Sequence, residues 1–256
     1  MPTLEDLLRT SVWTRGLSTE QLRTVRSAMT ERAVAARGYV CRKGEAVDHW
    51  FGIIDGVVKL SSDSRAGRSV TFTGVTAGGW FGEGSLLKDE PRRYDAVALR
   101  DTRAACLPRA TFLWLVEKSM AFNRFLVDQL NERCGQIIAM LEFDRTRDCD
   151  ARVARCVSAL FNPHLYPRTD ARLQISQEEI GHLCGLSRQH VNKALHVLEK
   201  LDLLHVDFRG ITVTDLRGLQ SFDAGRDSSV ASSPPRANPA EDQRVGSRRR
   251  DPARSR

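Results

Sequence analysis

The stretch that most constrains this chain is "SQEEIGHLCGLSRQHVNKALHVLEK", Ser176 to Lys200, in which two helical patterns meet at a glycine. Ser176 and Glu179 have the spacing of a capping box: the hydroxyl accepts from a free backbone amide while the carboxylate reaches back to the cap. A helix therefore starts there, with Ile180 and Leu183 turned inward. Gly185 can take the left-handed conformation that stops it, and Ser187 can cap the next helix after a turn of a few residues. Val191, Leu195 and Leu198 then form a buried stripe, which forces Arg188, Gln189, Asn192, Lys193 and His196 outward.

Two helices at a sharp angle, the second with a polar face, make a helix-turn-helix, whose second helix fits the major groove of double-stranded DNA. The outward side chains have the matching chemistry. Arg bonds the two acceptors of guanine, Gln or Asn bonds adenine through donor and acceptor together, and Lys reaches guanine or a phosphate. "LLHVDF" and "ITVTDL", joined at Arg209-Gly210, read as a hairpin in the place of a wing. An ordinary helical hairpin with a solvated face would need no such agreement among cap, glycine, stripe and wing. The candidate DNA-binding residues are Ser187, Arg188, Gln189, Asn192 and Lys193. The net charge of +7, from 39 Lys and Arg against 32 Asp and Glu, suits a polyanion, although charge alone does not separate nucleic acid from an anionic membrane surface.

Upstream the text changes character. Between Gly38 and Gly84 lie ten of the 18 glycines, among short alternating runs such as "GVVKLSS" and "RSVTFTGV", which predicts an antiparallel β-roll or barrel. After Pro108 the spacing turns helical and runs to about Asp144. Leu126, Leu130, Ile137 and Met140 recur there as in a narrow coiled-coil seam, which suits a helix pairing with its twin in a homodimer; a helix packed on its own domain is the alternative. The fold class is thus α+β, in four parts: an N-terminal helix and β-roll over residues 1–118, a dimerisation helix and hinge over 119–147, a winged helix-turn-helix over 148–219, and a Ser-, Pro- and Arg-rich tail over 220–256 that should be disordered. The six cysteines form no C-x-x-C pair and read as reduced, so no metal or iron–sulfur site is expected. With no apolar run of spanning length and an acidic N-terminal stretch, the chain is expected in the cytoplasm, with no membrane partner. No nucleophile elbow, P-loop or H-E-x-x-H motif points to catalysis, and no catalytic residue is assigned.

In order of parts, and most clearly at "QISQEEIGHLCGLSRQHVNKALHVLEKLDLL" and "GGWFGEGSLL", residues 20–215 resemble the Crp/Fnr family of bacterial transcription regulators. The resemblance implies a homodimer on a two-fold symmetric DNA site, with RNA polymerase as a further partner if the protein is an activator, and a switch in the β-roll. Arg188, Gln189 and Lys193 take the base-reading positions. In cyclic-nucleotide-binding members a Gly-Glu pair holds the ribose and an Arg about ten residues on neutralises the phosphate; Gly82, Glu83 and Arg93 match that spacing. The small pair that usually follows the Arg is here Tyr94-Asp95, which adds bulk and a negative charge. Two readings of these residues stand: an effector site for cyclic AMP or a related nucleotide, and side chains paired internally within the roll. A nucleotide-binding regulatory module with an output other than DNA binding is the alternative function, and it leaves the helix-turn-helix unexplained.

Overall fold

Thr3 and Ser18 each close a reciprocal capping box and start the first two helices, α1 (Leu4–Thr10) and α2 (Thr19–Ala28), which flank a 3-10 turn at Val12–Gly16. A computed structural model of the chain describes residues 1–63, 69–143, 148–167, 172–208 and 210–222. Eight strands follow: β1 (Thr30–Val34), β2 (Tyr39–Cys41), β3 (His49–Asp55), β4 (Val57–Asp63), β5 (Ser69–Thr76), β6 (Trp80–Phe81), β7 (Asp95–Ala98) and β8 (Thr102–Pro108), with α3 (Glu83–Lys88) inserted before β7. They pair antiparallel into two sheets, ordered β1-β8-β3-β6 and β2-β7-β4-β5. Gly56 makes the sharp turn between β3 and β4 at φ 110, where a Cβ would stand 2.3 Å from the Thr102 hydroxyl.

Alternation drives one face of each strand into the roll, where Phe51, Ile53, Val58, Val75, Phe81, Ala96 and Ala98 meet. A second core lies outside the strands, under α4 (Arg109–Lys118) and α5 (Met120–Phe143), and is built on Trp13, Trp50, Trp80, Phe112 and Phe122. Trp50 and Trp80 approach to 4.3 Å between ring centroids.

The long helix behaves differently from a simple seam. Phe122, Leu126 and Gln129 face the protein's own core, with Leu126 3% exposed, so Leu126 is not part of a free face. A helix apolar on two sides lets the stripe slip by one residue, and the exposed stripe comprises Val127 (65%), Cys134, Ile137 (46%) and Ile138 (58%), with Leu130 half-buried at its edge. The Met140 side chain lies outside the described residues.

The second domain comprises α6 (Cys149–Ala159), β9 (Arg172–Leu173), α7 (Gln177–Cys184), α8 (Arg188–Lys200), β10 (Leu204–Asp207), β11 (Gly210–Val213) and α9 (Leu216–Ser221). Val153, Val157, Ile180, Val191, Leu195 and Leu198 fill its core, and Leu219 and Phe222 join them, so the domain runs past residue 219. The tail from 223 onward lies outside the described residues.

Candidate nucleic-acid interface and effector site

The turn between α7 and α8 is built as the residues require. Ser176 N–H donates to Glu179 Oε2 at 2.6 Å and Glu179 N–H to Ser176 Oγ at 3.1 Å, which closes the capping box. Gly185 ends α7 at φ 65, and Ser187 Oγ accepts from the His190 amide to start α8. Gly181 matters as well: the Leu186 amide bonds its carbonyl at 3.0 Å, and a Cβ there would stand 2.7 Å from the Leu186 carbonyl oxygen. Helix α8 buries Val191, Ala194, Leu195 and Leu198, and Ser187, Arg188, Gln189, Asn192, Lys193 and His196 are all exposed. His190, which the sequence reading passed over, is exposed in the same row and meets Ser187 Oγ through Nδ1 at 2.7 Å. Asn192 donates to Gln177 at 3.2 Å, tying the polar face of α8 to the start of α7.

The wing pairs Leu204 with Val213 and Asp207 with Gly210, and a third strand, β9, adds to it by pairing Ile211 with Leu173. That two-residue strand was too short for periodicity to reveal. Arg172 bridges to Asp207 at 2.6 Å across the wing, whose tip exposes Phe208 fully.

In the roll, Gly82 precedes α3 at φ 98 and Glu83 points inward, 3% exposed. Glu83 Oε1 takes a hydrogen bond from Arg133 Nε of α5 at 3.2 Å, and Trp50 Nε1 lies 3.4 Å from its other oxygen. Arg133 also donates to the Trp80 carbonyl. Burial works against the Arg133 charge, but Glu83 beside it prevails and holds the guanidinium pKa above its ordinary value.

Arg93 is not brought to this place. Its side chain is 69% exposed and forms a bidentate pair with Glu90, both bonds at 2.6 Å. The hydrogen bonds of that pair depress the Glu90 pKa and raise that of Arg93. The buried guanidinium is its neighbour Arg92, 2% exposed, which donates to the carbonyls of Gly82, at 3.1 Å, and His49, and lies over the Phe51 ring. A Cβ at Gly82 would come 2.3 Å from Arg92 Nη1, and the backbone there sits at φ 98, a region that favours glycine. Burial alternates along this stretch, with Arg92, Ala96 and Ala98 buried and Arg93 exposed, although β7 itself begins only at Asp95. Tyr94 packs against the roll core, where burial and then Glu83 push its hydroxyl pKa well up. Asp95 turns away and accepts from the Lys43 amide at 2.9 Å.

Among the described residues no group of His, Cys, Asp and Glu side chains is placed to hold a metal ion, and no helix is long and apolar enough to cross a membrane.

The family model of the cyclic nucleotide-binding domain matches residues 31–119, and that of the Crp-like helix-turn-helix domain matches residues 151–222. The chain is 29% identical over 187 residues to the CRP-like cAMP-activated global transcriptional regulator of Mycobacterium tuberculosis, covering 70% of this chain and 82% of that protein. It is 27% identical over 186 residues to the cyclic AMP receptor protein of Thermus thermophilus, covering 72% and 83%. The solved structure of FixK2 from Bradyrhizobium japonicum shares the fold, with a TM-score of 0.60 at 20% identity over 77% of this chain and 98% of that one.

Proposed function

The chain belongs to the Crp/Fnr family of transcription regulators, and from that premise we propose that it acts as a homodimer on a palindromic site, each subunit laying α8 in successive major grooves about one helical turn apart. Ser187 is placed to contact a phosphate, Arg188, Gln189 and Lys193 read bases, and Asn192 adds a bidentate group beside them. The observation that carries this reading is the unbroken exposed polar row on α8 above a fully buried stripe, beside a paired wing. The two subunits join through the α5 face of Val127, Leu130, Cys134, Ile137 and Ile138, which is apolar and has no covering in a single chain. Where the regulator activates, RNA polymerase is its partner.

The β-roll is the sensor. Two of the relatives carry cyclic AMP in their names, and Glu83 and Arg92 supply the carboxylate and guanidinium that a ribose hydroxyl and a cyclic phosphate need. Both are already engaged, Glu83 by Arg133 and Arg92 by two carbonyls, so an effector has to exchange those partners for its own. Cyclic AMP is the first compound to try. Fluorescence anisotropy with a labelled fragment from upstream of the gene, in excess competitor DNA at fixed salt, tests the reading. Specific binding tightened by cyclic AMP is expected; binding that does not discriminate the fragment from random DNA would reject it.

A further inference from the structure

Two side chains of the DNA-binding domain belong to the core of the other domain. Leu165 and Tyr166, in the segment between α6 and β9, are 2% and 0% exposed, and they pack with Phe51, Val58, Val75 and Phe81 inside the roll. The Tyr166 hydroxyl donates to the Gly74 carbonyl of β5 at 2.6 Å. Its ring lies on Gly79, where a Cβ would stand 2.7 Å from the ring edge. The Arg133 guanidinium, bonded to Glu83, lies within electrostatic reach of both Tyr166 and Tyr94. The ring thus occupies the roll interior against Gly79, four residues before Glu83, in the same cluster as Phe81.

The segment is shaped for this insertion. Asn162 Oδ1 accepts from the amides of His164 and Leu165 at 2.9 and 3.0 Å, and the Tyr166 amide returns to the Asn162 carbonyl at 2.8 Å. Asn162 Nδ2 donates to Glu132 of α5 at 3.0 Å, which anchors the turn to the long helix. Around it the two domains hold further contacts: Thr71 Oγ1 donates to the His182 carbonyl at 3.2 Å, and Arg100 donates to the Gln174 carbonyl at 2.5 Å. Gly74 leaves room for Leu160 and Leu183 of the DNA-binding domain, since a Cβ would stand 2.8 Å from Leu160.

We propose that Leu165-Tyr166 is an internal occupant of the β-roll: the Tyr166 ring fills the space that a flat aromatic effector, a cyclic purine nucleotide, enters, so that effector binding and release of the DNA-binding domain from the roll are one event. The proposal rests on the reading of the roll as a cyclic nucleotide sensor. Such a latch lowers apparent effector affinity by the fraction of molecules in which it is closed.

The test titrates a fluorescent cyclic AMP derivative into the full chain, wild type, Tyr166→Phe and Tyr166→Ala, with amide hydrogen exchange on the same samples. Tyr166→Ala should bind about tenfold more tightly than wild type, with Tyr166→Phe between them because it keeps the ring and loses the bond to Gly74. Exchange at β3 and β8 should stay slow in every variant, showing an intact roll, while β5 and residues 162–167 exchange faster in Tyr166→Ala and in cyclic AMP-saturated wild type. Equal, measurable affinity in wild type and Tyr166→Ala would overturn the latch and leave the sensor reading standing. Binding by none of the three proteins would overturn both.

Discussion

Arg133 of the long helix reaches into the β-roll and holds Glu83, Nε to Oε1 at 3.2 Å, linking the helix that carries the exposed apolar stripe to the residue proposed to meet the effector. The pair is nearly removed from water, Glu83 at 3% and the Arg133 side chain at 15% exposed. Removing one partner of such a pair leaves a buried uncompensated charge. Arg133→Ala should therefore cost about 3 kcal/mol in urea unfolding. The double variant Arg133→Leu with Glu83→Gln should recover most of that loss. A single variant as stable as wild type would show that Glu83 is solvated after all.

Arg188 tests base reading. Its side chain is exposed at the start of α8, with no structural partner to lose among the bonds described. Arg188→Ala should weaken the specific site by about 1 to 3 kcal/mol and random DNA hardly at all, measured by anisotropy at one salt concentration. Equal losses on both would reduce Arg188 to a phosphate contact.

The helix-turn-helix was legible because its signals are local: cap, glycine, cap and stripe all fall between Ser176 and Leu198, and each has a direct counterpart in the fold. The β-roll was legible as a type from its glycines. What escaped depended on contacts remote in sequence. The inner face of α5 is chosen by partners elsewhere, Arg133 by Glu83 and Gln136 by the Ala159 carbonyl, so the polar residues of that face concealed its burial, and Leu126, read with the outer stripe, turns into the core while Val127 is exposed. Arg92 and Arg93 are neighbours in the non-strand segment before β7, and which of them turns inward is not carried by a family spacing. Tyr166 meets Gly74 across 92 residues, and nothing in its local sequence marks it as part of the roll.

Thiol reactivity follows from burial. Cys134 is exposed on the outer face of α5, whereas Cys41 and Cys184 are buried, and burial pushes the Cys41 thiol up to about 11. The Cys184 thiol is also raised, by a hydrogen bond with Cys156 and then by burial. At pH 8 iodoacetamide should therefore reach Cys41 and Cys184 only after unfolding, and Cys134, on the face proposed to join the subunits, should react faster in a Val127→Asp, Ile137→Asp variant than in wild type, as read by peptide mass spectrometry. Because burial raises the Cys41 pKa to about 11, any labelling of Cys41 in the native protein should rise about tenfold per pH unit up to that pH. Fast native labelling of Cys41 would contradict its placement in the roll.

The two faces of α5 make opposite predictions for substitutions one residue apart. Val127 and Ile137 project outward, so Val127→Asp with Ile137→Asp adds charge to a surface that only a second subunit would cover. Light scattering should then report folded monomers, with thermal unfolding still cooperative and specific DNA affinity greatly reduced, because one α8 reaches only half of a two-fold site. Leu126 is 3% exposed among the aromatic residues of the inner core, and Leu126→Asp places a charge where no partner is available. That variant should lose stability by several kcal/mol and unfold before its oligomeric state can be read. If Leu126→Asp instead gave a folded monomer, and the Val127 and Ile137 pair left the dimer intact, the helix would present the opposite stripe to its twin.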